Sequence, residues 1–392
     1  MRVLIVGAGI ADPTLAYWLL HLGHEPTLVE QAPELRRGGY LVDFWGAGFD
    51  VAERMGIVPE LRDRGYEFVE ARSIGRDGRP IASFPPSAIV GSDGRYVTIA
   101  RSDLASTIHA ALDGRVETLF ATTVEAIDDA GEVVHVTFEN GTRREFDLVV
   151  GADGLHSRVR ELTFGPQEQF ERYLGIVVAV FDVAGYRPRD ELTAVLHADV
   201  GFQMLRVSLR DDATMFCATV RHDGGAPPDD PAEHRALLRR RLAGARWEVP
   251  AILDAMASAR TFYADRASQI RMPSWARGRV ALVGDAAACP SFLAGQGSAL
   301  AMVGAYVLAA ELARAHGDHV EAFARYGERL GPLLRSKQDA ARGLGLAFAP
   351  QNRSALAVRN TVMRLLGLPH VSRLVMGRSF RDAVELPAMP VV

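Results

Sequence analysis

The sequence predicts an α/β chain: a doubly wound parallel sheet, an antiparallel sheet interleaved with it, and helices closing the chain. Three observations predict this. A βαβ pattern opens the chain at Arg2–Glu30. Residues 173–220 carry four consecutive strand patterns with turn residues between them. A late buried strand, Arg279–Val283, then returns to the first pattern, so the two sheets share the chain discontinuously.

The elements follow in order. Arg2–Val6 is a short apolar run, as expected of a buried parallel strand. Pro13–Leu22 has apolar residues at helical spacing and stops at Gly23. Thr27–Val29 is the second strand, and a basic loop at Arg36-Arg37-Gly38-Gly39 follows. Helices are expected near Gly46–Met55, Val58–Arg64 and Arg101–Leu112, and strands at Glu67–Ile74, Arg79–Phe84 and Tyr96–Ala100. Asn140-Gly141 tolerates positive φ and predicts a hairpin between Val133–Phe138 and Thr142–Phe146. Leu148–Val150 is a buried strand ahead of a helix at Ser157–Leu162. The antiparallel run comprises Gly175–Val183, Leu192–His197, Gly201–Ser208 and Thr214–Val220. Helices Ala232–Ala243 and Pro250–Ala257 and a strand Tyr263–Ile270 come next. The apolar helix Gly297–Ala313 and helices near Val320–Leu346 and Ser354–Leu366 complete the chain.

Composition narrows the function. With 392 residues, two packed domains are expected rather than one core. A net charge of −4 argues against nucleic-acid or anionic-membrane partners, which need a basic surface. Two cysteines, Cys217 and Cys289, make no disulfide framework, and no Cys/His cluster has metal spacing. The N-terminus runs straight into a strand, and the longest apolar stretch, Ala299–Ala310, is shorter than a membrane span. A cytoplasmic enzyme, monomeric or homodimeric, is the expectation.

Gly7-Ala8-Gly9-Ile10-Ala11-Asp12 lies between a strand and a helix, the setting in which G-x-G-x-x-G binds a dinucleotide. Gly7 permits the turn, Gly9 lets a pyrophosphate approach the backbone, and the helix N-terminus offers free N–H groups. Glu30 ends the second strand, where an acid binds a ribose 2′-hydroxyl and disfavours a 2′-phosphate. The third glycine is replaced by Asp12, whose carboxylate adds bulk and negative charge beside the pyrophosphate. An ordinary βα turn in which Asp12 caps the helix, with Pro13 at its start, remains the other reading of the loop.

Two later stations resolve the cofactor. Gly151-Ala152-Asp153-Gly154-Leu155-His156-Ser157-Arg158-Val159-Arg160 resembles the second signature of the single-component FAD-dependent aromatic hydroxylases, the para-hydroxybenzoate hydroxylase-like family. Arg279–Ala287, containing Gly284-Asp285, continues through Pro290 and Gly295-Gln296-Gly297 and resembles the third. The stations fall in the family's order, and the layout is most similar to the tetracycline-modifying branch. The resemblance implies a Rossmann-like, glutathione-reductase-type FAD-binding domain, an antiparallel-sheet substrate domain and a C-terminal bridging helix. The expected boundaries are 1–72, 96–172 and 273–318 for the first, 73–95 and 173–272 for the second, and 319–392 for the helices.

The resemblance also implies site residues. FAD is expected on Gly7, Gly9, Ala11, Glu30, Arg37, Arg101, Asp153, Asp285, Gly295, Gln296 and Gly297. Asp285 would take ribityl hydroxyls, and the helix start at Gly297 would stabilise a negative reduced flavin. Asp153 reads equally as a cap for the helix near Ser157. Where many relatives carry histidine, Ala288 stands. Phe202, Met204, Phe216, Pro290 and Phe292 are the substrate-pocket candidates, although the register leaves open whether Phe202 and Met204 or Gln203 and Leu205 face the flavin. No nucleophile–base arrangement stands out, so the reactive group is expected from the cofactor. The implied activity is a monooxygenase consuming NADPH or NADH and oxygen, hydroxylating an aromatic or polyketide-like small molecule through a flavin C4a-hydroperoxide. Asp12 and Ala288 motivate the alternative: the same fold with non-redox catalysis, a cyclase or rearrangement, or with impaired flavin binding.

Overall fold

The computed structural model describes residues 1–35, 40–86, 94–225, 227, 230–367 and 384–390. Its first elements are β1 (Arg2–Val6), α1 (Ala11–His21), β2 (Glu25–Glu30), β3 (Leu41–Trp45), α2 (Ala47–Arg54), α3 (Val58–Arg64), β4 (Glu70–Ile74), β5 (Pro80–Phe84), β6 (Tyr96–Ala100) and α4 (Arg101–Ala110). Next come β7 (Glu117–Phe120), β8 (Val124–Asp129), β9 (Val134–Phe138), β10 (Arg143–Phe146), β11 (Leu148–Gly151), α5 (Arg158–Phe164), β12 (Glu171–Ala184), β13 (Thr193–Asp199), β14 (Phe202–Ser208) and β15 (Ala213–Arg221). The chain continues with α6 (Pro231–Arg241), α7 (Val249–Ala255), β16 (Thr261–Ile270), β17 (Ala276–Arg277), β18 (Val280–Leu282), α8 (Asp285–Ala288), α9 (Gly297–Arg314), α10 (His319–Phe348) and α11 (Arg353–Leu366).

The first sheet has the order β17-β18-β11-β1-β2-β7, and all its pairings are parallel except β17 with β18. Strands β1 and β11 are central, which is why Val3–Val6 and Leu148–Val150 are apolar without alternation. The sheet runs β18, β11, β1, so the carboxyl ends of strands far apart in sequence come side by side. Helix α9 packs against α1, α2 and α10, and most of its residues are buried. Its apolar composition is that of a core helix. A Cβ on Gly48 would stand 2.5 Å from the Ala299 Cα, so only glycine lets α2 lie this close to α9.

The second sheet has the order β16-β12-β15-β14-β13-β4-β5. Strand β4 pairs along its whole length with β13, so a boundary drawn at residue 72 divides a strand of this sheet. One face carries Phe181, Phe202, Met204, Phe216 and Ala218 and is sealed by Leu238 of α6 and Val249 and Ile252 of α7. The opposite face carries Val178, Val180, Val207 and Met215 and packs with Phe68, Leu293, Tyr40, Cys217 and Phe292 toward the first domain.

Helix α10 bridges the two. Its Tyr326 hydroxyl donates to the Leu282 carbonyl at 3.2 Å, while Gln338 Nε2 donates to the Ile270 carbonyl at 2.7 Å and to the Cys289 carbonyl at 3.2 Å. These bonds leave no buried end of Gln338 Nε2 unsatisfied and hold β16, β18 and the loop after α8 to one rod. Strands β3 and β7 are not apparent from the sequence pattern. β3 (Leu-Val-Asp-Phe-Trp) lacks strict alternation, and β7 is a four-residue edge strand without one fully buried residue.

Candidate active site

Backbone pairing assembles the three stations. Val6 lies beside Gly151 and Gly151 beside Leu282. The Ala152 N–H donates to the Val6 carbonyl at 2.9 Å, the Val283 N–H to the Gly151 carbonyl at 2.9 Å, and the Gly7 N–H to the Val29 carbonyl at 2.7 Å. The loops at Gly7, Ala152 and Gly284 therefore leave the sheet together, at the carboxyl edge where open α/β sheets bind ligands. Gly284, at φ +63°, has a would-be Cβ 3.3 Å from the Ala11 Cβ. The third station thus rests directly on the first turn of α1.

Glu30 is held by two backbone donors: the Ala8 N–H reaches Oε2 at 3.0 Å, and the Ala32 N–H reaches Oε1 at 2.8 Å. Its carboxylate is fixed beside the glycine loop, leaving lone pairs for further donors. Asp153 accepts hydrogen bonds from the Ser157 hydroxyl and from the Val159 N–H at 3.0 Å. It therefore serves α5 in the capping sense, with Ser157 Oγ accepting the Arg160 N–H at 3.0 Å. Burial pushes the Asp153 carboxyl above the ordinary range. Arg158 lies on the surface in an ion pair with Glu161 at 2.8 Å. Arg160 is the internal one: fully buried, it donates to the carbonyls of Ala286 at 3.1 Å and Leu155 at 2.7 Å. It ties the second station to the third, and its position in a signature run gave no sign of that role.

Arg101, Asp285, Tyr40 and Tyr263 cluster at the centre. Protein surrounds each on nearly every side; burial raises Asp285, Tyr40 and Tyr263, whereas for Arg101 burial is outweighed by the surrounding phenols and carboxyls, which hold the guanidinium charged. Yet none counts as a buried residue, and Tyr263 keeps 41% of its surface accessible. Deep position combined with accessible surface means that these side chains line an internal cleft. Burial pushes Asp285 up, against the pull of the Arg101 charge, and pushes Tyr263 well above its ordinary range, so the phenol is neutral. Tyr40 packs edge-on to Phe292, with ring centroids 5.3 Å apart, and lies 5.8 Å from the Tyr263 ring. The Arg101 N–H donates to the Tyr40 carbonyl at 3.0 Å, which couples the start of α4 to the cleft wall. Neither tyrosine was singled out from the sequence, because neither falls in a signature.

The donor set fits FAD. Arg101 is a deep guanidinium that, among the described residues, meets the carboxyls of Asp285 and Asp12 at longer range, and its Nη2 lies 3.4 Å from where a Gly9 Cβ would stand. A cation so placed suits a diphosphate. Gln296 is 4% exposed, and its Nε2 finds no partner among the described residues. It stands at the N-terminus of α9 after Gly295 in the left-handed conformation (φ +65°). A buried amide donor at the positive end of an 18-residue helix suits an electron-rich acceptor edge. The Asp285 Oδ1 would be 3.9 Å from a Cβ on Gly297, so acid and helix start are neighbours. Arg37 lies outside the described residues.

The substrate candidates divide. Phe292 faces the cleft against Tyr40, and the Pro290 carbonyl accepts from Gln269 Nε2 at 3.2 Å, at the loop that α10 pins. Phe202, Met204 and Phe216 face away: all three pack beneath α6 and α7. The alternation therefore resolves to the other set, and Gln203 and Leu205 point toward the first domain. Gln203 Oε1 accepts from Arg359 of α11 at 2.6 Å. His197 is fully buried on the far face against Phe202 and Trp247. Cys217 lies on the cleft-side wall and Cys289 beside Asp285; burial pushes the former thiol up to about 12 and the latter well above its ordinary range, so both are inert thiols.

Comparison with known proteins identifies the family. Residues 1–322 match the family described as FAD binding domain, and the chain belongs to that family. It is a flavin-dependent monooxygenase of that class. It is 35% identical over 340 residues to a protein named flavin-dependent monooxygenase from an unknown prokaryotic organism, covering 86% of this chain and 87% of the relative. A Mycobacterium tuberculosis protein is 40% identical over 330 residues, covering 83% and 88%. Among solved structures, the tetracycline destructase Tet(55) superposes with a TM-score of 0.84 at 31% identity, covering 98% of each chain.

Proposed function

We propose that this enzyme uses NADPH or NADH and molecular oxygen to hydroxylate an aromatic or polyketide-like small molecule. The observation that carries the reading is the cleft itself. A cationic and hydrogen-bonding floor, made by Arg101, Asp285 and the start of α9, faces an apolar wall from β12, β14 and β15. Bound and reduced, FAD would supply the activated oxygen. The chain's own part is to bind, orient and exclude water. Tyr40 and Phe292 from the first domain and Leu205 from the second are the partly accessible apolar side chains, backed by the buried layer of Leu293, Val180, Val207 and Met215, a setting suited to a planar apolar substrate. The neutral phenols of Tyr40 and Tyr263 are the polar groups at that boundary able to orient a substrate oxygen. The similarity to a tetracycline destructase makes a fused-ring polyketide a good first probe. Two free thiols, half-buried Cys217 and buried Cys289, are consistent with a reducing cytoplasmic setting.

The test is coupled turnover. FAD-loaded protein is given NADPH, then NADH, with a panel of phenols and tetracyclines under labelled oxygen. The expected result is one labelled oxygen atom in product and reductant consumption that rises with substrate. Reductant consumption without labelled product from any panel member would remove the aromatic and polyketide assignment.

A further inference from the structure

The third glycine of the loop is Asp12, and its side chain does not point away. It is 1% exposed and turns back over the loop, where its Oδ2 accepts the Gly9 N–H at 2.7 Å. Its Oδ1 is buried with no partner among the described residues. A Cβ on Gly7 would stand 2.1 Å from that Oδ1, and a Cβ on Gly9 3.3 Å from Oδ2. The carboxyl therefore lies on the bare backbone that the two glycines create, the surface a G-x-G loop presents to a pyrophosphate.

The charged groups around it are Glu30 at the end of β2, Asp153 after β11 and Arg101 at the start of α4, with Asp285 after β18 beyond the arginine. Burial pushes the Asp12 carboxyl well above the carboxylate range. Asp153 and Glu30 add to the rise, against two backbone hydrogen bonds that lower it. An ionised Asp12 would add a further negative charge among these acids and against an incoming diphosphate. A protonated one has a single O–H donor, and the oxygen lacking a partner is Oδ1. A phosphate oxygen is an acceptor that satisfies it.

We propose that Asp12 is a cofactor-binding residue acting as a neutral carboxylic acid, its Oδ1–H donating to the FAD diphosphate, so that FAD binding requires a proton at Asp12. This rests on the flavin reading above. FAD then binds the protonated loop only: affinity is constant at low pH and falls as pH rises past the point where Asp12 ionises in the free protein.

The experiment is FAD titration of flavin-stripped protein, followed by flavin fluorescence, from about pH 5.5 to about pH 8.5, a window between the ordinary carboxylate and tyrosine ranges. Wild type is expected to weaken with rising pH, approaching about tenfold in Kd per pH unit on the alkaline side. Asp12→Asn, which keeps the donor without the titration, and Asp12→Gly, which restores the open loop, are expected to bind with no such slope. Both retain Glu30, Asp153, Asp285 and Arg101, so any slope from those groups is measured in the same series. A flat wild-type profile, or the full slope persisting in Asp12→Asn, overturns the proposal. So does FAD binding by the two variants with none by wild type at any pH, which would make Asp12 a block rather than a donor. Failure of all three proteins to take up FAD overturns the flavin reading itself.

Discussion

Replacing Gly7 with alanine tests whether the Asp12 carboxyl truly occupies the loop. Two costs add in the wild-type background. The first is conformational: Gly7 sits at φ +123°, where an L-residue costs on the order of 1–3 kcal/mol. The second is the collision, since the new Cβ would stand 2.1 Å from Asp12 Oδ1 and 3.0 Å from the Ala152 carbonyl oxygen. The backbone cannot yield cheaply, so the carboxyl must leave, losing its bond to the Gly9 N–H at roughly 1–2 kcal/mol. Gly7→Ala should therefore destabilise the protein by about 2–5 kcal/mol, and by only about 1–3 kcal/mol when Asp12 is already glycine. The coupling of about 1–2 kcal/mol lies within the range for residues in contact. Urea midpoints of the four proteins in the cycle, read by tryptophan fluorescence without FAD, give the number. Equal costs in the two backgrounds would refute the placement of Asp12 over Gly7.

Four further outcomes are expected. Folded-state pKa values raised at Asp12, Asp153 and Asp285 mean that the folded protein holds more protons than the unfolded chain, so their contribution is complete below about pH 4 and is lost as pH rises. Wild type should accordingly lose stability relative to Asp12→Gly between about pH 4 and neutrality, a trend readable in urea midpoints against pH. Met204→Ala should cost about 2–5 kcal/mol as a core cavity and leave the substrate KM unchanged, whereas Leu205→Ala should raise KM; steady-state kinetics beside a melting curve separates them. Arg160→Met should be strongly destabilising, by about 3 kcal/mol or more, because the carbonyls of Leu155 and Ala286 lose a buried charged donor. Arg101→Met should weaken FAD binding by about tenfold to a hundredfold, the worth of one charge-assisted hydrogen bond, with little change in melting temperature of the flavin-free protein.

Much of this site was legible because its signals are local. Gly7, Gly9, Glu30, Gly284 and Asp285 declare themselves by short spacing next to buried strands, and parallel pairing then brings three distant stations to one edge. What escaped depends on longer range. Tyr40 and Tyr263 sit in ordinary strand-like surroundings and come together only when the second sheet folds over the first. The face of β14 was ambiguous because both alternating sets are largely apolar, and only α6 and α7, packing on Phe202 and Met204, decide it. Arg160 stands two residues after Arg158 in the signature run, and a seven-residue helix gives too little periodicity to tell which of the two is buried. Asp12 was conspicuous as a departure, but its rotation back onto Gly9 is a matter of side-chain geometry that composition does not carry.

The most direct test of the whole account is an anaerobic reduction followed by readmission of oxygen, watched in the visible spectrum of the FAD-loaded protein. NADPH or NADH should bleach the flavin bands, and oxygen with a phenol or tetracycline present should restore them while one atom of labelled oxygen appears in the product. Bands that stay unbleached with either reductant, in a protein that holds FAD, would contradict the monooxygenase reading and leave the fold serving non-redox chemistry.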